Sequence, residues 1–141
     1  MDVYTDGACL GNPGPGGWAY VVPDGRSASG AEVHTTNQRM ELFAVYRALS
    51  DLGGDLTIYS DSAYVVNCYQ NKWWMGWERK GWRTSSGSAV ANLDLWMPVI
   101  DIFKTRKELG FVKVKGHSGD RYNEAADSLA NAAARRIARD G

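Results

Sequence analysis

The chain has 141 residues, which is enough for one domain with a real core and too few for two comfortable ones. Its apolar fraction of 44% and charged fraction of 23% are those of an ordinary soluble globular protein, and no apolar run approaches the roughly 20 residues of a membrane-spanning helix. The formal net charge is zero, which by itself indicates no particular partner.

Two further features bear on location. The first residues lack the basic and apolar regions of a secretory leader, and two cysteines do not make a disulfide framework in a chain of this size. We therefore expect a cytoplasmic protein without a membrane partner, folded as a single domain over residues 1–141.

The charge is unevenly distributed along the chain. Residues 1–71 carry eight acids and three bases, whereas residues 72–141 carry eight acids and thirteen bases. This layout is compatible with a metal-dependent enzyme that acts on a polyanion, and equally with a random split of surface charge.

The first half of the chain reads as an antiparallel meander followed by an alternation of helix and strand. Alternating β-prone residues predict strands at 2–10, 18–22 and 30–36, separated by turns rich in glycine and proline. Apolar residues at helical spacing predict a helix at 36–52, and a short strand follows at 56–60.

The second half supplies further helices and the last strand. We predict helices at 62–71, 92–108 and 123–139 and a fifth strand at 111–115, while a tryptophan-dense segment occupies 73–82. The buried stripe of the last helix is predicted at Ala126, Leu129, Ala130, Ala133 and Ile137. Together these elements predict an α/β fold with a five-stranded mixed sheet, made of an antiparallel meander plus parallel strands.

Four acidic residues stand in distinctive settings on four separate elements. Asp6 lies in the first predicted strand and Asp61 comes at the end of the strand at 56–60, whereas Glu41 and Asp127 lie in predicted helices. Singly, three of them have an ordinary alternative: Asp61 as a helix N-cap, Glu41 and Asp127 as acids near helix N-termini.

Together the four acids suggest a shared site. Converging carboxylates repel one another unless a cation compensates them, and oxygen ligands without a cysteine–histidine cluster suit Mg²⁺ or Mn²⁺ rather than zinc. His117, in the glycine-flanked loop Gly-His-Ser-Gly, could move protons beside such a site or be an exposed loop histidine.

The motifs around these residues resemble those of bacterial-type, type 1 ribonuclease H. They are Tyr-Thr-Asp-Gly-Ala-Cys-Leu-Gly-Asn-Pro-Gly-Pro-Gly-Gly-Trp at 4–18, Thr-Thr-Asn-Gln-Arg-Met-Glu-Leu at 35–42, Tyr-Ser-Asp-Ser at 59–62, Val-Lys-Gly-His-Ser-Gly at 114–119 and Asn-Glu-Ala-Ala-Asp at 123–127. They occur in order over essentially the whole chain.

The resemblance implies a ribonuclease H-like sheet flanked by helices on both faces. It also implies an endonuclease that hydrolyses the RNA strand of RNA–DNA hybrids and leaves 5′-phosphate and 3′-hydroxyl ends. Two Mg²⁺ ions, with Mn²⁺ as a possible substitute, are expected at Asp6, Glu41, Asp61 and Asp127, and His117 is expected to assist turnover. A monomer without an obligate protein partner is expected from the family.

The resemblance also implies residues that contact the substrate. Asn12 and Asn37 match residues that contact the RNA strand around its 2′-hydroxyls, and Gln38 stands where a second asparagine is common. Thr36 matches a residue that holds a phosphate of the DNA strand. Residues 72–91, called here the handle segment, resemble the protrusion that grips the DNA strand; in it we assign DNA contact to Trp77, with packing in a small aromatic core as the alternative.

Two other functions are open to such a chain. A relative of the same architecture, such as an exonuclease, resolvase or integrase, keeps clustered acids but lacks the Asn-Gln-Arg-Met-Glu and Gly-His-Ser-Gly settings. A catalytically silent hybrid-binding module would have no use for four uncompensated carboxylates.

The handle segment is less basic than the lysine-rich versions of the family, and Ala63 stands where many members carry glutamine. It holds Lys72, Arg79, Lys80 and Arg83 against Glu78. Because each neutralised phosphate steepens the salt dependence of binding, we predict weaker hybrid affinity and a shallower salt slope than in a lysine-rich relative. Binding isotherms of both proteins over a salt series measure this, and equal slopes would refute it.

Overall fold

A computed structural model describes residues 1–115 and 120–140 of the chain. The strands are β1 (Asp2–Cys9), β2 (Gly14–Val21), β3 (Ser27–Thr35), β4 (Leu56–Ser60) and β5 (Leu109–Lys113). The helices are α1 (Asn37–Asp51), α2 (Ala63–Gln70), α3 (Trp73–Arg79), α4 (Leu93–Thr105) and α5 (Arg121–Asp140). Among the described residues, no helix combines the length and apolar character that crossing a membrane requires.

The strands form one mixed sheet in the order β3-β2-β1-β4-β5. The β1–β2 and β2–β3 pairs are antiparallel, and the β1–β4 and β4–β5 pairs are parallel. The predicted meander with parallel strands added to it is confirmed. In the parallel pair of β1 with β4, Val3 lies opposite Ile58. The residues three positions further along each chain segment, Asp6 and Asp61, therefore lie towards the same end of these strands.

Helices α1 and α5 cover opposite faces of the sheet. In β2 the indole of Trp18 stacks on Phe43 of α1, with ring centroids 5.3 Å apart. The preceding residue, Gly17, points the other way, because successive strand residues alternate faces, and lies against Ala130 and Ala134 of α5. The core between these layers includes the fully buried side chains Val3, Met40, Leu42, Ile58 and Trp96.

The largest error in the predicted strands concerns the start of β2. The glycine- and proline-rich run was expected to be a turn up to residue 17, but β2 already begins at Gly14. A glycine stands inside the strand at position 17 for a steric reason, because a Cβ on Gly17 would lie 2.2 Å from the backbone oxygen of Ala130. This glycine serves the close approach of a helix to the strand rather than a turn.

Several other predicted boundaries also shift. Strand β3 begins at Ser27 rather than residue 30, and α5 begins at Arg121 rather than residue 123. Helix α4 ends at Thr105 rather than residue 108, and β5 spans Leu109–Lys113 rather than residues 111–115. The buried stripe of α5 consists of Asn123, Ala126, Ala130 and Ala134, whereas Leu129, Ala133 and Ile137 are half-buried.

We predict that Gly17→Ala destabilises the fold. The added methyl group meets the α5 backbone, which cannot rotate away as a side chain can, so the free energy of unfolding should fall by about 2–3 kcal/mol. Urea unfolding measures the change. Gly53→Ala is the matched control, because no heavy atom lies within 4 Å of its added Cβ, and its effect should stay within about 0.5 kcal/mol. Equal effects of the two substitutions would contradict the proposed close packing.

Candidate active site

Asp6 is the central acid of the site. It lies in β1 on the same face as Tyr4, is only 5% exposed, and its Oδ1 accepts a hydrogen bond of 2.9 Å from the backbone N–H of Gly7. An unpaired carboxylate at this depth would be costly, which indicates that Asp6 has a role other than packing.

Glu41 reaches the same place from α1. Thr36 caps this helix through a hydrogen bond from the Arg39 N–H to its Oγ1, so the helix begins at Asn37 and Glu41 is its fifth residue. The helix dipole acts mainly within the first turn. The alternative of Glu41 as a dipole-complementing acid is therefore not supported.

Gly7 allows this approach of α1 to β1. A Cβ on Gly7 would lie 2.3 Å from the backbone nitrogen of Glu41 and 2.5 Å from the carbonyl carbon of Met40. A side chain at this position would force α1 away from the strand that carries Asp6.

Asp61 follows the end of β4 and precedes the cap of α2. The helix is capped by Ser62, whose Oγ accepts a hydrogen bond of 3.3 Å from the Val65 N–H. Asp61 is therefore not the N-cap, and that alternative is wrong. The Ser62 hydroxyl also hydrogen-bonds to Glu41, so this residue connects the start of α2 with the acid on α1.

Asp127 approaches from the other face of the sheet, on α5. Because this helix begins at Arg121, Asp127 lies almost two turns inside it rather than in the first turn. Its carboxylate accepts a hydrogen bond from the Asp6 carboxyl, and Asn131 donates from Nδ2 to Asp127 Oδ1 over 3.1 Å. The first-turn alternative for Asp127 is therefore also wrong.

The acids form one cluster. Asp6, Glu41 and Asp61 each offer a carboxylate oxygen, and these atoms all lie within 4.8 Å of one another, while Asp127 joins through its hydrogen bond with Asp6. Burial, the charge of Asp61 and the hydrogen bond with Asp127 raise the pKa of Asp6 to about 8. Burial raises the pKa of Glu41 to about 7, against the lowering effect of the Ser62 hydrogen bond.

This donor set fits a hard divalent cation. All of the converging groups are carboxylates, and the raised pKa values of Asp6 and Glu41 indicate that negative charge here is poorly compensated by the protein itself. Mg²⁺ and Mn²⁺ are the ions that such oxygen ligands favour.

The residues predicted to contact the RNA strand lie together at the start of α1. Oδ1 of Asn12, in the turn between β1 and β2, accepts a hydrogen bond of 3.2 Å from the backbone N–H of Asn37. Both side chains are exposed, as is Gln38. Thr36 Oγ1 is already an acceptor for the helix cap, but its hydroxyl proton is still available for a phosphate.

Trp77, the predicted DNA contact, is half-buried on α3. Its ring meets that of the fully buried Trp96 in an edge-on arrangement, with centroids 5.5 Å apart, and its exposed neighbour Trp73 lies 6.5 Å away. The geometry therefore favours a packing role for at least one edge of Trp77. His117 lies outside the described residues.

Arg39 has a structural role beside the site that no sequence pattern predicts. Its guanidinium donates to both carboxylate oxygens of Asp94, over 2.9 and 2.8 Å, and its Nε donates to Glu32 over 2.9 Å. This network ties the start of α1 to β3 and α4 beside Asn37. No spacing in the sequence connects these three residues, because they lie on three separate elements.

Comparisons with known proteins agree with this architecture. A profile of the RNase H family matches residues 1–135. A protein named Ribonuclease H from Syntrophomonas wolfei is 50% identical over 134 residues, which cover 91% of each chain. Another of that name, from Chlorobium chlorochromatii, is 46% identical over 138 residues and 94% of each chain.

A solved structure shows the same fold. The crystal structure of LC9-RNase H1, a type 1 RNase H with the type 2 active-site motif, superposes with a TM-score of 0.77 at 32% identity, covering 96% of this chain and 72% of that chain. Fold and acidic cluster define a nuclease of the ribonuclease H class. The chain belongs to the ribonuclease H family, whose members are metal-dependent endoribonucleases that act on RNA–DNA hybrids.

We predict that Asp6→Asn changes how stability depends on pH in the presence of a chelator. In the wild type the unfolded Asp6 ionises near its ordinary pKa of 3.8, whereas the folded Asp6 holds its proton until about pH 8. The unfolded state thus binds fewer protons in this window, and the free energy of unfolding falls as pH rises.

Asparagine cannot ionise and keeps an Oδ1 acceptor for Gly7, so the variant should lose much of this slope. Each unit of raised pKa corresponds to about 1.4 kcal/mol, so the variant should be at least that much more stable than wild type near pH 8. Urea unfolding at about pH 5 and about pH 8 measures the difference. A variant less stable than wild type at both pH values would indicate a structural role for Asp6.

Proposed function

We propose that this chain hydrolyses the RNA strand of RNA–DNA hybrids with two divalent ions, Mg²⁺ first among them, held by Asp6, Glu41, Asp61 and Asp127. The observation that carries the proposal is the convergence of carboxylate oxygens from β1, α1 and the end of β4 within 4.8 Å. Acids from separate elements would not be brought together against their repulsion without a cation to hold.

The reaction is an in-line displacement at phosphorus. When bound, the ions would help to activate a water and to stabilise the charge on the leaving oxygen. The bond from phosphorus to the 3′-oxygen breaks as the bond to the water oxygen forms. The products carry a 5′-phosphate and a 3′-hydroxyl, and His117 is the residue that we assign to proton transfer during turnover.

The chain's own residues would select the RNA strand. The hydrogen bond from the Asn37 N–H occupies Oδ1 of Asn12 and leaves its Nδ2 group free to donate. Exposed amides of Asn12, Asn37 and Gln38 can pair with 2′-hydroxyls, which only RNA carries, and they do so without reading base sequence. Thr36 would hold a phosphate of the DNA strand, which positions the duplex without specifying sequence.

Supporting groups would keep the acids in place. The Ser62 hydroxyl orients Glu41, and the side-chain amide of Asn131 orients Asp127. The close contact of α1 with Gly7 fixes the distance between the helix and the strand that carry the first two acids. Such preorganisation matters because small displacements of catalytic groups reduce rates steeply.

Cleavage assays on matched duplexes test this function. With Mg²⁺ the wild type should cut the RNA of an RNA–DNA hybrid and leave RNA–RNA and DNA–DNA duplexes intact. Asp6→Asn should lower kcat by about a thousandfold or more, because one ligand of the reacting centre loses its charge. The matched control is Asp55→Asn, an exposed acid that precedes β4, whereas Asp61 follows the other end of that strand, and this variant should keep wild-type kcat.

Each alternative function predicts a different result. Cleavage of DNA–DNA duplexes would indicate an exonuclease, resolvase or integrase activity. Hybrid binding without cleavage in Mg²⁺ or Mn²⁺ would indicate a silent binding module and would overturn the proposal.

A further inference from the structure

A basic groove lies between α2, α3 and the end of α4. It has a volume of about 530 Å³, within the range of ligand-binding clefts. Its lining includes Lys72, Trp74, Phe103, Lys104, Arg106 and Lys107.

The groove lies near the beginning of β4 and β5, whereas the acidic cluster lies at the end of β4. One of its walls, Tyr69, donates a hydrogen bond of 2.8 Å to the carbonyl of Leu109, the first residue of β5. Leu109 pairs with Leu56, the first residue of β4, whereas Asp61 follows the last. The groove is therefore separate from the proposed catalytic site.

The charge of the groove is strongly positive for a chain with no net charge. It has four basic side chains in its lining, and Lys72 and Lys107 are exposed to solvent. Lys104 pairs with Glu78 over 2.6 Å, and Arg106 donates to the carbonyls of the α1 end, at Leu49, Leu52 and Gly54. These carbonyls are neutral, so the hydrogen bonds do not cancel the positive charge of Arg106.

Aromatic rings stand among these cations. Trp74 is half-buried, with Nζ of Lys104 5.6 Å from its ring centroid. Tyr69 and Phe103 meet edge-on, with centroids 4.9 Å apart. Cations that neutralise phosphates beside rings that can stack on bases are the combination found where proteins hold single strands.

We propose that this groove binds single-stranded nucleic acid. A duplex hides the faces of its bases, whereas an unpaired strand can place a base against Trp74 and its phosphates against the exposed Lys72 and Lys107. This binding does not depend on the proposed cleavage function, and it would bring single-stranded regions that adjoin a hybrid to the enzyme.

Fluorescence anisotropy with a labelled DNA strand of about 12 nucleotides, in chelator and over a salt series, tests the proposal. Lys104→Ala/Lys107→Ala removes the exposed charge of Lys107 together with Lys104, whose charge Glu78 already pairs, so the slope of log affinity against log salt should become shallower by about 0.7. Trp74→Leu should weaken binding by about fivefold or more through the loss of stacking. Thermal melts establish whether each variant is folded. If Trp74→Leu does not fold, the double lysine variant alone decides between binding and no binding in the groove.

The matched control is Arg135→Ala/Arg139→Ala, which removes the same charge from exposed positions of α5. It should leave the salt slope near that of wild type. Equal slopes for the two double variants would overturn the proposal. It would also be overturned if polyglutamate competed as strongly as unlabelled DNA, because the groove would then be a site for acidic protein. A wild type that binds the strand but cuts no hybrid would refute only the cleavage function.

Discussion

The arrangement of the acids depends on the missing side chain at Gly7. It lets the backbone of α1 at Met40 and Glu41 lie against β1 immediately beside Asp6. The gain is a short, fixed distance between an acid on a strand and an acid on a helix. The cost is electrostatic, because the carboxylates of both residues lose water and face Asp61.

This cost is distributed over the two faces of the sheet. From one face, Ser62 hydrogen-bonds to Glu41; from the other, α5 brings Asp127 to Asp6 and Asn131 to Asp127. The hydrogen bond from Ser62 only partly offsets the burial of Glu41, and the hydrogen bond with Asp127 favours the protonated form of Asp6, so the pKa values of both acids stay raised. The scaffold therefore holds its acids in an unfavourable state, which is typical of sites prepared for a ligand of opposite charge.

Much of the fold and of the acidic cluster could be predicted from the sequence, because local signals and motif order agreed. Asp6 was recognisable inside the first strand and Asp61 at the end of β4, and parallel pairing of β1 with β4 then brings them to the same end of the sheet. The start of β2 could not be predicted, because Gly14, Gly16 and Gly17 look like turn residues. Their close contacts, to Leu10, Thr35 and Ala130 respectively, are made only in the folded chain. Contacts among separate elements, such as Arg39 with Glu32 and Asp94, leave no periodic trace in the sequence.

The ion pair between Glu78 and Lys104 has a consequence for comparing members of this family. Glu78 is the acid of the handle segment, yet the base that compensates it belongs to α4, outside that segment. A substitution at position 104 would thus alter the potential around α3 while leaving every residue of the handle unchanged. An alignment restricted to 72–91 would miss such a change, and the electrostatic character of this protrusion has to be judged together with the helix beneath it.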